Sequence, residues 1–207
     1  MDALLGKTLL TPDLRPVATA DALRSKDYVC LYFSAHWYAE RPAKRLKWPA
    51  VAANATACFS YHPRSRCAPC RNFTPLLKAA YERLRALNVE VVFVSSDRDE
   101  VRFGEYFGEM PWLALPYADR ERKTNLASRY RVATIPRLIV LDGESRLITL
   151  HGRTDLVLDP ALDAFPWRLR PVKEVLRHAR LLDPHMQQTF LQGGIRTIVL
   201  LYFTCLR

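Results

Sequence analysis

The chain has 207 residues, of which 49% are hydrophobic and 25% are charged, and its formal net charge is +10. This composition is typical of a globular domain and excludes a fibrous repeat or a wholly disordered tail. The sequence contains neither the run of about 18 apolar residues that spans a bilayer nor the pattern of a secretory signal at its start. We therefore expect no membrane association and a reducing location, which is the cytoplasm, with the nucleus as a further candidate.

The positive charge is concentrated in one stretch. Residues 38–66 contain six basic residues and one acidic residue, so this segment carries half of the net charge. The remainder has neither a Lys/Arg-rich recognition helix nor the aromatic and basic strand pattern of RNA-binding sheets. We therefore predict no nucleic-acid partner.

The first strong element is a buried strand over 27–34, which is rich in β-branched and aromatic residues. An amphipathic helix follows the cysteine pair at 67–70, because apolar residues recur there at steps of three and four. Its predicted inward face consists of Phe73, Leu76, Leu77, Ala80, Tyr81, Leu84 and Leu87. A second strand over 89–95 is almost continuously apolar, which is typical of a parallel sheet.

The second half of the chain continues the alternation of helices and strands. Asp97 is predicted to cap a helix over 99–110, whose apolar face holds Val101, Tyr106 and Phe107. The later predicted elements are an extended segment over 110–116, a helix over 120–130, strands over 137–141 and 146–150 joined at Asp142-Gly143, and a helix over 171–182. The order predicts an α/β fold with a central mixed β-sheet flanked by helices.

The cysteines do not form a disulfide framework, because their number is odd and only one pair is closely spaced. They are Cys30, Cys58, Cys67, Cys70 and Cys205. A zinc site would need two further ligands beside Cys67 and Cys70, and Cys58 with His62 offers them on paper. Such sites rarely lie between a buried strand and a long amphipathic helix. We predict no metal and no cofactor, and we interpret Cys30 as a core residue.

The segment Cys67-Ala68-Pro69-Cys70 gains a redox meaning from its position before a helix. Cys67 would lie at the helix N-terminus, where unpaired N–H groups and the helix dipole favour the thiolate. Cys70, one turn further and more buried, is placed to attack a mixed disulfide formed at Cys67. Pro69 suits a helix start, where its missing N–H is not needed. His36 is either a neighbour that stabilises the thiolate or a solvated loop residue.

Thr134-Ile135-Pro136 precedes the first strand of the predicted hairpin. Its simplest interpretation is a proline that begins a strand. A cis bond facing the cysteine pair would also turn the backbone before Pro136 toward an extended substrate chain. We therefore expect substrate contacts from Trp37, Ala68, Pro69, Ile135 and Pro136.

Several motifs occur together in a characteristic order. They are Leu31-Tyr-Phe-Ser-Ala-His-Trp37, Cys67-Ala-Pro-Cys-Arg-Asn-Phe-Thr-Pro75, Phe93-Val-Ser-Ser-Asp97, Glu105 to Pro116, Thr134-Ile-Pro136 and Phe165-Pro-Trp167. Together they resemble the nucleoredoxin and tryparedoxin branch of the thioredoxin-like superfamily over roughly residues 3–37 and 67–182. The resemblance implies a thioredoxin fold, protein-disulfide reductase activity, Cys67 as attacking thiol, Cys70 as resolving thiol and Pro136 as a cis-proline.

The resemblance is interrupted by 29 residues, Tyr38 to Arg66, whereas family members run from Trp to Cys directly. The segment has no helical or strand period, and we expect an irregular, exposed excursion. It is either a lid or docking loop, or translated non-coding sequence, and we favour the second because its removal restores Trp37-Cys67. A TGG-TAY codon pair at Trp37-Tyr38 contains a GT donor that permits such splicing.

The predicted organisation is a thioredoxin-like domain over 1–182 and an uncertain tail over 183–207. The predicted function is reduction of protein disulfides through the dithiol, by a monomer that is itself reduced by an upstream dithiol or an NADPH-dependent reductase system. The alternative is a thioredoxin-fold binding module without redox turnover, in which the insertion has moved the strand end away from the cysteine pair.

Overall fold

The computed structural model describes residues 1–36, 67–169, 174, 181–182 and 188–189. The chain divides into two compact units, Met1–Arg168 and Leu169–Arg207. The predicted domain boundary at residue 182 stays a prediction. The expected excursion over 38–66, and Trp37 before it, lie outside the described residues.

The first unit is built from one mixed sheet with helices on both faces. Its helices are α1 (Asp2–Leu5), α2 (Thr19–Leu23), α3 (Ala68–Ala86), α4 (Glu100–Phe107), α5 (Arg120–Arg129) and α6 (Gly152–Leu158). Its strands are β1 (Thr8–Leu10), β2 (Pro16–Ala18), β3 (Tyr28–Ser34), β4 (Val89–Ser95), β5 (Leu113–Ala114), β6 (Arg137–Asp142) and β7 (Leu147–Thr149). The strand order is β2-β1-β5-β4-β3-β6-β7. The predicted α/β fold with a mixed sheet is confirmed.

The centre of the sheet is the parallel pair β3 and β4. Alternate residues of β3 enter two different cores: Cys30 and Tyr32 pack on the side of α3 and α4, whereas Leu31 and Phe33 pack on the side of α1, α2 and α5. Because both faces are covered, both strands read as continuous apolar runs. Cys30 is fully buried, as predicted for a core residue.

The register of β3 against β6 defines the edge of the sheet that matters for the site. The two strands are antiparallel, and Phe33 pairs with Arg137. Pro136 therefore lies one residue further toward the carboxyl end of β3, at the level of Ser34. The Ile135–Pro136 bond is cis, which confirms the prediction.

The predicted inward face of α3 is correct except at two positions. Phe73, Leu77 and Leu84 are buried, but Leu76 is 54% exposed and Leu87 is 43% exposed. Consecutive residues are about 100° apart around a helix, so Leu76 lies beyond the sheet contact that its neighbour Leu77 makes. Leu87 follows the helix as its C-cap.

The prediction that Asp97 caps α4 is wrong. The N-cap is Asp99, whose carboxylate accepts a hydrogen bond from the Arg102 N–H at 2.8 Å. The helix also ends at Phe107 rather than at residue 110. Val101 is 71% exposed, and Phe103 takes its place on the buried face.

Five short elements of this unit, α1, β1, β2, α2 and α6, were not predicted from the sequence. The first two helices, β1, β2 and α6 each contain three to seven residues, too few for a periodic pattern to stand out. The extended segment predicted over 110–116 is longer than the strand found there, because β5 contains only Leu113–Ala114.

In the second unit, the structure describes the antiparallel pair β8 (Leu181–Leu182) and β9 (Gln188–Thr189). The predicted helix over 171–182 is therefore wrong at its last two residues, which pair with a strand instead. The rest of that helix, apart from Glu174, and most of the tail lie outside the described residues. Within the described residues, no helix has the length and apolar content to cross a membrane.

Candidate active site

The cysteine pair lies at the start of α3, beside the carboxyl end of β3. Cys67 is the N-cap residue, and Pro69 and Cys70 fall in the first turn, as the sequence predicted. The Cys67 N–H donates to the His36 carbonyl at 3.1 Å. The chain therefore returns, after residues 37–66, to the place where it left β3.

The two thiols are in direct contact. Their sulfur atoms are 2.7 Å apart, and both cysteines are free. The hydrogen bond from the Cys70 thiol lowers the pKa of Cys67 to about 7, the Cys70 N–H and the Arg153 charge act in the same direction, and burial and Asp97 oppose them. Cys67 is thus a substantial fraction thiolate at neutral pH.

Cys70 behaves in the opposite way. Its hydrogen bond to Cys67 and its burial raise the pKa of Cys70 well above the ordinary value. Burial, with Glu90 nearby, raises the pKa of Cys30 to about 12. Of the three described cysteines, only Cys67 combines a lowered pKa with a place at the helix end.

His36 is a buried residue, so its interpretation as a solvated loop histidine is wrong. Its N–H donates to Asp97 Oδ1 at 2.8 Å, and the Ser95 hydroxyl donates to Asp97 Oδ2 at 2.9 Å. Asp97 therefore fixes the backbone that carries the acceptor for Cys67. In this way His36 contributes main-chain groups to the site.

Four hydroxyl groups lie beside Cys70, and we call them the hydroxyl cluster: Tyr32, Ser34, Thr74 and Tyr106. Thr74 Oγ1 is 2.7 Å from the Tyr32 oxygen and 2.6 Å from the Tyr106 oxygen, and it donates to the Cys70 carbonyl at 2.9 Å. Ser34 Oγ is 3.2 Å from the Tyr106 oxygen. This cluster was not predicted from the sequence, although Ser34 on β3 and Thr74 on α3 place hydroxyl groups on otherwise apolar faces.

Arg153 is a second residue that the sequence analysis missed. Its guanidinium lies 6.0 Å from the centre of the Phe73 ring, and its charge favours the Cys67 thiolate. It follows Gly152 at the start of α6, in a segment for which no helix was predicted. Arg71, which directly follows the cysteine pair in the sequence, is exposed.

The residues expected to contact a substrate differ in accessibility. Ala68 and Pro69 are exposed, Ile135 is half-buried and Pro136 is buried. Ile135 also packs against the apolar core on the side of α5. Trp37 lies outside the described residues, so the structure does not place it.

The described residues contain no group of three or more His, Cys, Asp or Glu side chains arranged to hold a metal ion. Cys58 and His62, which the alternative zinc site requires, lie outside the described residues. The expectation of no metal therefore stays a prediction.

A mixed sheet flanked by helices, a dithiol at a helix N-terminus and a cis-proline at the adjoining strand define a protein of the thioredoxin-like class. A family model described as thioredoxin-like matches residues 58–147. This match begins inside the segment 38–66, and the assignment of that segment as an insertion stays a prediction.

Within the thioredoxin-like class, the curated relatives of this chain are nucleoredoxins and a tryparedoxin. Nucleoredoxin from Danio rerio is 39% identical over 150 residues, which cover 72% of this chain and 29% of that protein. Tryparedoxin from Trypanosoma brucei brucei is 41% identical over 111 residues, which cover 53% of this chain and 77% of that protein. The chain thus spans less than a third of the nucleoredoxins it matches.

The similar solved structures include tryparedoxins as well. Native tryparedoxin I from Crithidia fasciculata has a TM-score of 0.63 and 33% identity, over 82% of this chain and 98% of that one. Tryparedoxin II in complex with glutathionylspermidine has a TM-score of 0.60 and 30% identity, over 79% of this chain and 93% of that one. The chain belongs to the nucleoredoxin and tryparedoxin branch of the thioredoxin-like superfamily, as the motifs indicated.

Proposed function

We propose that the chain is a thiol–disulfide oxidoreductase that reduces protein disulfides through Cys67 and Cys70. The observation that carries this proposal is the contact between the two sulfurs, with the pKa of Cys67 lowered and that of Cys70 raised. One thiol of the pair is thereby prepared to attack, and the other is kept protonated until the second step.

The reaction consists of two exchanges at sulfur. The Cys67 thiolate attacks a substrate disulfide, forms a mixed disulfide and releases the first substrate thiolate, which takes up a proton. Cys70 then loses its proton, attacks Cys67 Sγ and releases the second substrate thiolate, which is protonated in turn. Two electrons pass to the substrate, and the pair ends as a Cys67–Cys70 disulfide.

The substrate is an extended chain that lies along the sheet edge at Pro136. Ala68 and Pro69 present an exposed surface next to the attacking sulfur, and Ile135 precedes the cis bond at the same level. Backbone groups before Pro136 are candidates for strand-like hydrogen bonds to that chain. Trp37 completes the proposed set of substrate contacts.

Turnover needs a reductant for the Cys67–Cys70 disulfide. We propose an upstream dithiol or an NADPH-dependent reductase system, acting on a monomer in the cytoplasm, with the nucleus as a further candidate location. Tryparedoxin II has been solved with glutathionylspermidine, so a small thiol of that chemistry is one candidate donor. We propose no cofactor, nucleic-acid or membrane partner.

The binding-module alternative requires residues 38–66 to separate the end of β3 from the cysteine pair. The hydrogen bond between the Cys67 N–H and the His36 carbonyl joins these two places. This contact supports turnover over binding alone.

The test is insulin reduction with dithiothreitol as donor. The full chain is expected to reduce insulin well above background, Cys67→Ser is expected to remove the activity, and the control Cys30→Ala is expected to retain it. Background activity in the full chain would favour the binding module.

A trapping experiment tests the order of the two thiols. In Cys70→Ser no resolving thiol remains, so a disulfide substrate should stay attached through Cys67. Peptide mapping that finds the substrate on Cys58 instead would move the chemistry out of the proposed site.

A further inference from the structure

Counting donors fixes the direction of the hydrogen bonds in the hydroxyl cluster. The Thr74 hydroxyl has one hydrogen, and it donates that hydrogen to the Cys70 carbonyl. At the short contacts to Tyr32 and Tyr106, Thr74 can therefore only accept. Both tyrosines donate to Thr74.

The same count applies at the next contact. Because the Tyr106 hydrogen is directed to Thr74, Tyr106 accepts at its 3.2 Å contact with Ser34, and Ser34 donates. The Ser34 hydroxyl also lowers the pKa of the Cys70 thiol, whose thiolate it would stabilise, and that of Tyr32. The single hydrogen of Ser34 thus faces three acceptors: the oxygens of Tyr106 and Tyr32 and the sulfur of Cys70.

We propose that Ser34 is a switchable donor for the resolving step: its hydrogen is held by Tyr106 while Cys70 is a thiol and moves to Cys70 Sγ when that sulfur ionises. Tyr106 is then a positioning residue that acts through Ser34. This inference rests on the proposed function, because it assigns a role within the attack of Cys70 on the mixed disulfide.

The resolving step is where such a donor is needed. Once Cys67 is bonded to a substrate sulfur, it no longer carries the negative charge that the Cys70 thiol contacts in the free pair. Cys70 is fully buried, as is Ser34, so water is a poor source of hydrogen bonds there. A thiolate formed at Cys70 without a donor would bear the full cost of burying a charge.

The proposal predicts opposite effects for two hydroxyl deletions. Ser34→Ala removes the donor, so it raises the pKa of Cys70 and slows resolution. Tyr106→Phe removes one of the two competing acceptors and makes the Ser34 hydrogen more available to Cys70, so it speeds resolution. Thr74→Val should act like Tyr106→Phe, because Tyr106 is then free to donate to Ser34. A purely structural role would slow resolution in all three.

The expected change in the rate of resolution follows from the dependence of thiol reactivity on pKa. A change of about one unit in the pKa of Cys70 alters its thiolate fraction about tenfold, and the opposing change in nucleophilicity offsets about a third to a half of this effect on a logarithmic scale. We expect resolution to change by about threefold in each direction.

The experiment is rapid-mixing kinetics of the reduced full chain with excess DTNB, an aromatic disulfide, in a Cys58→Ser, Cys205→Ser background. Attack by Cys67 releases one equivalent of thionitrobenzoate at a rate that scales with DTNB. Resolution by Cys70 releases a second equivalent of thionitrobenzoate at a rate that is independent of the DTNB concentration. The matched control is Tyr81→Phe, which removes a buried hydroxyl from the same helix but contacts Glu90 instead.

The supporting result is slower resolution in Ser34→Ala, faster resolution in Tyr106→Phe and Thr74→Val, an unchanged first phase and no effect of Tyr81→Phe. The gain from Tyr106→Phe should disappear in the Ser34→Ala background. Changes in the same direction, or a gain that persists without Ser34, would overturn the proposal. Absence of the second phase in the parent would instead refute the proposed role of Cys70.

Discussion

The two thiols of the pair are only three residues apart, yet they are chemically unlike. From the sequence, we expected the helix terminus to lower the pKa of Cys67, with His36 as one candidate for a further stabilising neighbour. In the structure the largest contribution is the hydrogen bond from Cys70, which also raises the pKa of Cys70. The asymmetry is therefore a property of the contact between the two sulfurs, and each cysteine alone would lose part of it.

This origin predicts how Cys67 titrates. Because the pKa of Cys67 is lowered to about 7, its alkylation by iodoacetamide should fall off as the pH drops below 7. Cys70→Ala removes the donor, so the profile should move up toward the ordinary thiol value of about 8.5. Cys30→Ala should leave the pH profile of Cys67 alkylation unchanged. An unmoved profile in Cys70→Ala would mean that the helix terminus suffices.

A second prediction separates two arginines. Arg153 contributes to the low pKa of Cys67 through its charge, and this contribution is smaller than that of the Cys70 hydrogen bond. Arg153→Gln should therefore raise the pKa of Cys67, by less than Cys70→Ala does, and added salt should weaken the difference. The matched control is Arg71→Gln, whose exposed side chain is next to the pair in sequence. An equal shift in both variants would indicate a general effect of net charge.

At the scale of elements, α3 connects the site to the core. Its buried residues hold the helix against β3 and β4, and its first turn holds the cysteine pair. The position of the thiols relative to the strand ends therefore depends on packing further along the same helix.

The adjacent residues Leu76 and Leu77 test this packing. Leu77 is fully buried and Leu76 is largely exposed. Leu77→Ala should reduce the free energy of unfolding by about 2–5 kcal/mol because it leaves a cavity, whereas Leu76→Ala should change it by less than about 1 kcal/mol. Urea unfolding followed by circular dichroism measures both. Similar losses would show that the exposed face of α3 is covered in solution.

The sequence predicted the elements whose pattern is long and uniform. The strands β3, β4 and β6 were found because helices cover both of their faces, which requires apolar residues throughout. The cap of α4 was misplaced because Asp97 and Asp99 are equally plausible caps by residue type. Only the packed structure assigns Asp97 to the His36 backbone and Asp99 to the helix.

At the scale of the whole molecule, the site depends on topology. The hydroxyl cluster draws on β3, α3 and α4, and two of its members in direct contact, Ser34 and Tyr106, are 72 residues apart in sequence. Strand alternation alone places Tyr32 and Ser34 on the same face as Cys30. It does not say which helical residues cover them, so Thr74 and Tyr106 could not be assigned before the packing was known.

The last prediction concerns residues 38–66. The Cys67 N–H lies 3.1 Å from the His36 carbonyl, so Trp37 alone can bridge these residues in a γ-turn if 38–66 are deleted. For a flexible loop, shortening the connection from about 30 residues to one removes at most about 3 kcal/mol of closure cost, at about 0.6 kcal/mol per doubling. The deletion should leave insulin reduction intact and the free energy of unfolding equal or higher by up to that amount.

A chain in which 38–66 is replaced by a Gly/Ser linker of equal length is the control for this deletion, because it changes the composition of the segment but not its length. If the segment only lengthens the connection, the linker chain should match the parent in urea unfolding and in insulin reduction. Loss of stability in both altered chains would mean that 38–66 packs on the domain. Loss of activity alone, in both, would make the segment a substrate lid and would contradict its interpretation as translated non-coding sequence.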